Sequence, residues 1–205
     1  MTIDVEPGGR TSPYGYLGAA EIGGSTVEQT RLWKFRSPLY RWPRAITDPA
    51  PGFEQVWPLV DAFVGDRLVG AYGASYDVRQ LNRLSAAAGI ATRAIPFVDG
   101  LALARSLLPD DRHNLQAVML ALNLSRPEFE RRRRQRTTSG LTRKWLLHDA
   151  EDDALACALL FLHAAAHRLD INRIMATHNL GLLWLEHRPP NSAAAPKTRE
   201  SGAFP

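Results

Sequence analysis

The sequence predicts an α/β domain, and three observations carry that expectation. Strand-type runs and stretches of helical periodicity alternate from residue 53 to 122. Residues 1–36 hold three further strand-type runs separated by turn residues. Residues 155–166 are apolar nearly all round, as expected of a helix sandwiched in a core.

Composition sets the outer bounds. A chain of 205 residues suffices for one well-buried domain with a small appendage. Only Cys157 is present, so no intrachain disulfide or cysteine-based zinc site can form. That usage fits a reducing cytosol, and a cytoplasmic location is the expectation. No run approaches the length of a membrane span and the start lacks a signal-peptide pattern, so no membrane partner is expected. A net charge of +4 and a pI near 9.6 lean mildly toward a polyanionic partner. Oligomeric state has no signature in the sequence.

In order, residues 1–6 read as a very short strand, with Asp4 and Glu6 on one face because side chains repeat every second residue. Pro7-Gly8-Gly9 turns the chain. Strands are expected at 16–22 and 30–36, the latter alternating Trp33 and Phe35 with Leu32, Lys34 and Arg36. From Arg31 to Arg44 basic residues interleave with aromatics. That mixture suits a single-strand binding surface, but a sheet that buries its rings and exposes its cations looks the same and is the favoured reading. Phe53, Val56, Trp57, Val60 and Phe63 mark one face of a helix over 53–64. A buried strand follows at 67–72, then a helix for which Ser75 is the expected cap. Residues 95–99 form another strand and 101–108 a helix, and Asn114 caps a helix running to about Leu122. One last amphipathic helix is expected over 169–187, with Leu180, Leu183 and Trp184 on its apolar side. The tail at 189–205, rich in Pro, Ala and Ser, is expected to be disordered. The expected organisation is therefore a domain at 1–168, a helical extension at 169–188 and that tail.

Acidic residues give the chain its chemistry. Asp4 and Glu6 share a strand face, where two carboxylates are costly to bury without a cation between them. Asp77 follows a strand end, where sites gather in open α/β sheets. His148-Asp149-Ala150-Glu151-Asp152-Asp153 opens a helix; carboxylate oxygens suit hard divalent cations and a neutral imidazole can accept a proton from water. Each acid also has a plain reading: Asp4 and Glu6 as incidental acids on a frayed, solvated N-terminus, and Asp77 and the acids of 149–153 as helix-start residues favoured by the macrodipole, with Asp149 as the cap and Asp152 in the place of a capping-box acid. Arg131, Arg132, Arg133, Arg134 and Arg136 form a basic run shortly before His148. It could hold a phosphate backbone, or be a solvated helix or loop; both readings stand.

Taken in order, these residues resemble the DEDDh family of 3′→5′ exonucleases. Asp4-Val5-Glu6 is similar to the family's first motif, Tyr72-Gly73-Ala74-Ser75-Tyr76-Asp77 to the second, and His148 with Asp153 five residues on to the third; the likeness runs over about residues 1–168. It departs at Pro7, where the family usually has Thr, at Tyr72-Gly73, where a His-Asn pair is frequent, and in the shortness of the first strand. The resemblance implies a ribonuclease H-like mixed β-sheet flanked by helices. It implies a two-metal hydrolase in which Asp4, Glu6, Asp77 and Asp153 hold Mg²⁺ or Mn²⁺ and His148 is the general base. The expected partners are single-stranded 3′ ends, DNA favoured over RNA, with a polymerase or a repair complex as a further candidate. The rival reading is a protein that keeps the fold as a nucleic-acid-binding or scaffold module with weak or no catalysis.

Overall fold

The computed structural model describes residues 1–8, 13–40, 50–109, 113–124, 149–168, 170 and 183–184. His148, the arginine run at 131–136 and the tail at 189–205 lie outside them. Among the described residues the strands are β1 (Thr2–Glu6), β2 (Tyr14–Gly23), β3 (Thr26–Arg36), β4 (Val69–Ala71), β5 (Pro96–Asp99) and β6 (Leu183–Trp184). The helices are α1 (Phe53–Val64), α2 (Ala74–Ala88), α3 (Gly100–Leu107), α4 (Leu115–Ala121) and α5 (Ala150–Ala166). They build a mixed sheet in the order β3-β2-β1-β4-β5-β6 with helices on both faces. β1 pairs antiparallel with β2 and parallel with β4, so it sits between a hairpin and a parallel pair.

Alternation along β1 assigns the two faces. Ile3 and Val5 join Leu17, Phe35 and the buried side of α1 and α2 in one core. Thr2, Asp4 and Glu6 take the other face, where the Thr2 hydroxyl donates to the Ala154 carbonyl of α5 at 2.7 Å. α5 is buried on most of its circumference. Ala154 and Ala158 lie on Ala20 of the sheet, while Leu155 and Leu159 meet Leu115 and Met119 of α4. The all-round apolar composition at 155–166 therefore describes a helix between a sheet and a second helical layer.

Several elements differ from the sequence expectation, each for a non-local reason. β2 and β3 are longer than expected because they form one hairpin, in which Gly23 pairs with Thr26 across Gly24 and Ser25. Gly24 takes a φ of +56°, which a glycine adopts without strain. Pairing with β2 gives polar residues such as Gln29 a strand conformation that their own propensity does not favour. Ser75 does not cap α2. The cap is Gly73 at a φ of +76°, and Ser75 is an exposed residue inside the helix. At this earlier start the Gly73 and Ala74 N–H groups donate to Asp99. Leu183 and Trp184 lie in strand β6, opposite Phe97 and Pro96, instead of in a helix. The open edge of β5 offers backbone groups that a strand can satisfy and a helix cannot.

Candidate active site

β1 supplies Asp4 and Glu6, α2 supplies Asp77, and the first turn of α5 supplies Asp153. What brings them together begins with the register. Asp4 lies opposite Gly18 on β2, and a Cβ at Gly18 would overlap the Ala150 carbonyl and the Glu151 nitrogen. The missing side chain lets the start of α5 rest directly on the sheet beside Asp4. Asp149 caps that start, its carboxylate accepting from the Glu151 N–H at 3.3 Å. One carboxylate oxygen from each of Asp4, Glu6 and Asp153 then falls within 4.8 Å of the others.

Asp77 reaches the same strand from the other side. β4 pairs with β1 only at Thr2 and ends at Ala71, which leaves the far part of β1 without a parallel neighbour. The Val5 N–H donates to Asp77 Oδ1 at 3.0 Å in a buried contact. The position of Asp77 depends in turn on Asp99, the last residue of β5. One oxygen of Asp99 accepts from Gly73 N at 2.9 Å, Ala74 N at 3.3 Å and Leu101 N at 2.9 Å. It thereby caps α2 and α3 together. Sequence reading missed this residue, because the donors it satisfies sit on an element some 25 residues away. Tyr72, one of the departures from the family pattern, anchors the start of α4: its hydroxyl donates to the His113 carbonyl at 2.7 Å. Asn114 caps α4 as expected, accepting from Ala117 N at 2.8 Å.

Electrostatics identifies what the cluster could hold. Burial, and then the charges of Asp77, Asp153, Glu6 and Asp149, push the Asp4 carboxyl up to about 9. Burial raises Asp77 to about 7, against the lowering effect of its backbone hydrogen bonds. Oδ2 of Asp4 is buried with no hydrogen-bond partner among the described residues. A partnerless carboxylate oxygen beside three other acids fits a hard divalent cation, whose charge reverses the repulsion. Without one, Asp4 and Asp77 hold protons to higher pH than ordinary carboxyls do. Because both folded-state values lie above the ordinary carboxylate range, the metal-free fold binds more protons than the unfolded chain. Their contribution to stability is full below about pH 4 and is lost as pH rises through about 7 and about 9. The melting temperature of the metal-free protein should therefore fall from pH 5 to pH 9, and saturating Mg²⁺ should flatten the profile. A metal-free profile that rises over that range would contradict the burial of Asp4.

Two other parts of the molecule stand apart. A cavity of about 480 Å³ lined by Leu159, Leu162 and His163 lies toward the C-terminal end of α5, away from the carboxylates. Among the described residues no helix is long and apolar enough to cross a membrane.

Sheet order and the helices on both faces make this a ribonuclease H-like fold. A solved structure, exonuclease X in complex with 5′-overhanging duplex DNA, is similar over 86% of this chain and 98% of its own, with a TM-score of 0.54 and 17% identity. The sequence matches no protein-family model and none of the curated proteins.

Proposed function

We propose that this chain is a metal-dependent 3′→5′ exonuclease that hydrolyses phosphodiester bonds at single-stranded 3′ ends, DNA in preference to RNA. The observation that supports it most is the meeting of Asp4, Glu6 and Asp153 within 4.8 Å, with Asp77 bonded to the strand between them. Acids distant in sequence rarely converge on a buried point without a cation to hold them. The similarity of fold to a DNA-bound exonuclease is consistent with this reading.

In this proposal Asp4, Glu6, Asp77 and Asp153 hold Mg²⁺ or Mn²⁺, two ions per site, as oxygen ligands suited to such cations. When bound, the ions supply positive charge to the oxygens of the phosphate under attack. Asp77 is held by Val5 N, so its second oxygen is the one offered to the site. His148 immediately precedes the cap residue Asp149, and it is the base that takes the proton from the attacking water. The direction of attack and the role of His148 follow from the family resemblance.

The test is degradation of 5′-labelled DNA and RNA oligonucleotides with and without Mg²⁺. The expected result is a ladder shortening from the 3′ end only when metal is present, faster on DNA. Binding of both oligonucleotides with no products under any metal would establish the scaffold reading in its place.

A further inference from the structure

The parity of β3 sorts the basic and aromatic residues of that strand onto two faces. Arg31, Trp33 and Phe35 turn toward α1. The Arg31 guanidinium lies 4.8 Å from the Phe63 ring centroid, Trp33 meets the same ring edge-on at 5.5 Å, and Phe35 packs on Phe53. Lys34 and Arg36 take the opposite face, which is the face of Asp4 and Glu6. Register fixes the neighbours there. Glu6 lies opposite Tyr16, Tyr16 opposite Lys34, and Tyr14 opposite Arg36.

Glu6, Tyr16 and Lys34 thus form one row across three strands. At the usual strand spacing Lys34 stands about 10 Å from Glu6. α5 begins over the next row, at Gly18, and runs toward Ala20, so it leads away from Tyr16 and Lys34. Lys34 is exposed, with its ammonium 3.7 Å from the centroid of the Tyr14 ring. Arg36 Nε is buried and has no acceptor among the described residues. Two cations interleaved with two phenol rings, directly beside a carboxylate cluster, have the composition of a single-strand platform. A surface of this sign next to the acids also complements a polyanion that must approach them.

We infer that Tyr14, Tyr16, Lys34 and Arg36 form the platform for the single strand of nucleic acid that leads into the carboxylate cluster. Lys34 and Arg36 hold its phosphates and the tyrosine rings support a base or sugar. The inference deepens the nuclease reading above and rests on it for the reactive end of the strand. The binding itself needs no hydrolysis.

Anisotropy of a 5′-fluorescein oligothymidylate, titrated with the full chain in EDTA over a salt series, tests it. Lys34→Ala is expected to weaken binding about tenfold at low salt and to reduce the slope of log K against log salt by about 0.7. Lys34→Arg restores both. Tyr16→Leu replaces the aromatic ring by an aliphatic side chain without changing the charge, and is expected to weaken binding while leaving the slope unchanged. Arg31→Ala removes an equal charge from the opposite face of the same strand and should match the wild type. Identical curves for Lys34→Ala and wild type, or equal losses in Lys34→Ala and Arg31→Ala, would overturn the platform. Wild-type hydrolysis measured in parallel keeps the two ideas separate. Absent hydrolysis with the Lys34 effect intact rejects the nuclease reading and keeps the platform; a normal ladder without a Lys34 effect does the reverse.

Discussion

Asp4→Asn is expected to lower Mg²⁺-dependent hydrolysis by about a thousandfold or more, while raising the melting temperature of the metal-free protein at pH 8. Both effects have one origin. In the wild type, burial and the charges of Asp77, Asp153 and Glu6 hold the Asp4 carboxyl at about 9, so its ionised form is opposed by the fold at neutral pH. Asparagine keeps the shape and removes the charge. The repulsion falls and the metal-free fold gains stability, but a neutral amide is a poor ligand for a hard cation. The pH dependence of metal-free stability should flatten in the variant for the same reason. His148→Ala provides the contrast: under the proposed mechanism it should lose most hydrolysis and keep Mn²⁺ affinity, because the proposed base acts on water and is not itself a metal ligand. Calorimetric titration with Mn²⁺ and melting in EDTA check both arms. An Asp4→Asn protein that melts lower than wild type at pH 8 without metal would mean that this carboxylate is not under repulsion.

Elements with strong local signals were legible in the sequence. The helix at 53–64 carries a complete apolar face, and the Gly52 N–H is capped by Gln55 Oε1 at 2.9 Å. Asn114 and Asp149 cap the helices that they precede. The mixed sheet with flanking helices is the architecture found, and the acids on β1, α2 and α5 stand at the element positions that the motifs placed them in. What escaped depends on contacts between distant residues. Ser75 has the chemistry of a cap, but the helix begins earlier, at Gly73, where Asp99 from across the sheet accepts from the Gly73 and Ala74 N–H groups. Leu183 and Trp184 fit a helical stripe as well as a strand, and only the open edge of β5 decides between them. For residues 31–36 the sequence left two readings open, buried rings or a binding surface. The register separates the two sets of side chains: Arg31 and the rings of Trp33 and Phe35 lie toward α1, Lys34 and Arg36 on the face of the acids.

Gly18 has no local signature at all, and the second large effect is expected there. Between Leu17 and Ala19 it reads as an ordinary strand residue, and its role appears only when Asp4 is found opposite it. A methyl group added at this position meets the Ala150 carbonyl and the Glu151 nitrogen, which are backbone atoms and cannot swing aside. The first turn of α5 must lift, and Asp153 lifts with it. Gly18→Ala is therefore expected to destabilise the protein by about 1–3 kcal/mol, as overpacking of a close-packed interior does. Under the proposed function it should also weaken Mn²⁺ affinity at least about tenfold, since an Asp153 displaced by even an ångström would no longer share a cation with Asp4 and Glu6. Gly24→Ala separates the two consequences. Gly24 sits at the hairpin turn with a positive φ and open space around it, so alanine there costs about 1 kcal/mol from backbone strain alone. It should leave metal affinity unchanged. Urea unfolding and Mn²⁺ titration of both variants give the comparison. Wild-type affinity in a destabilised Gly18→Ala protein would show that α5 adjusts without moving Asp153, and that the contact at Gly18 serves packing alone.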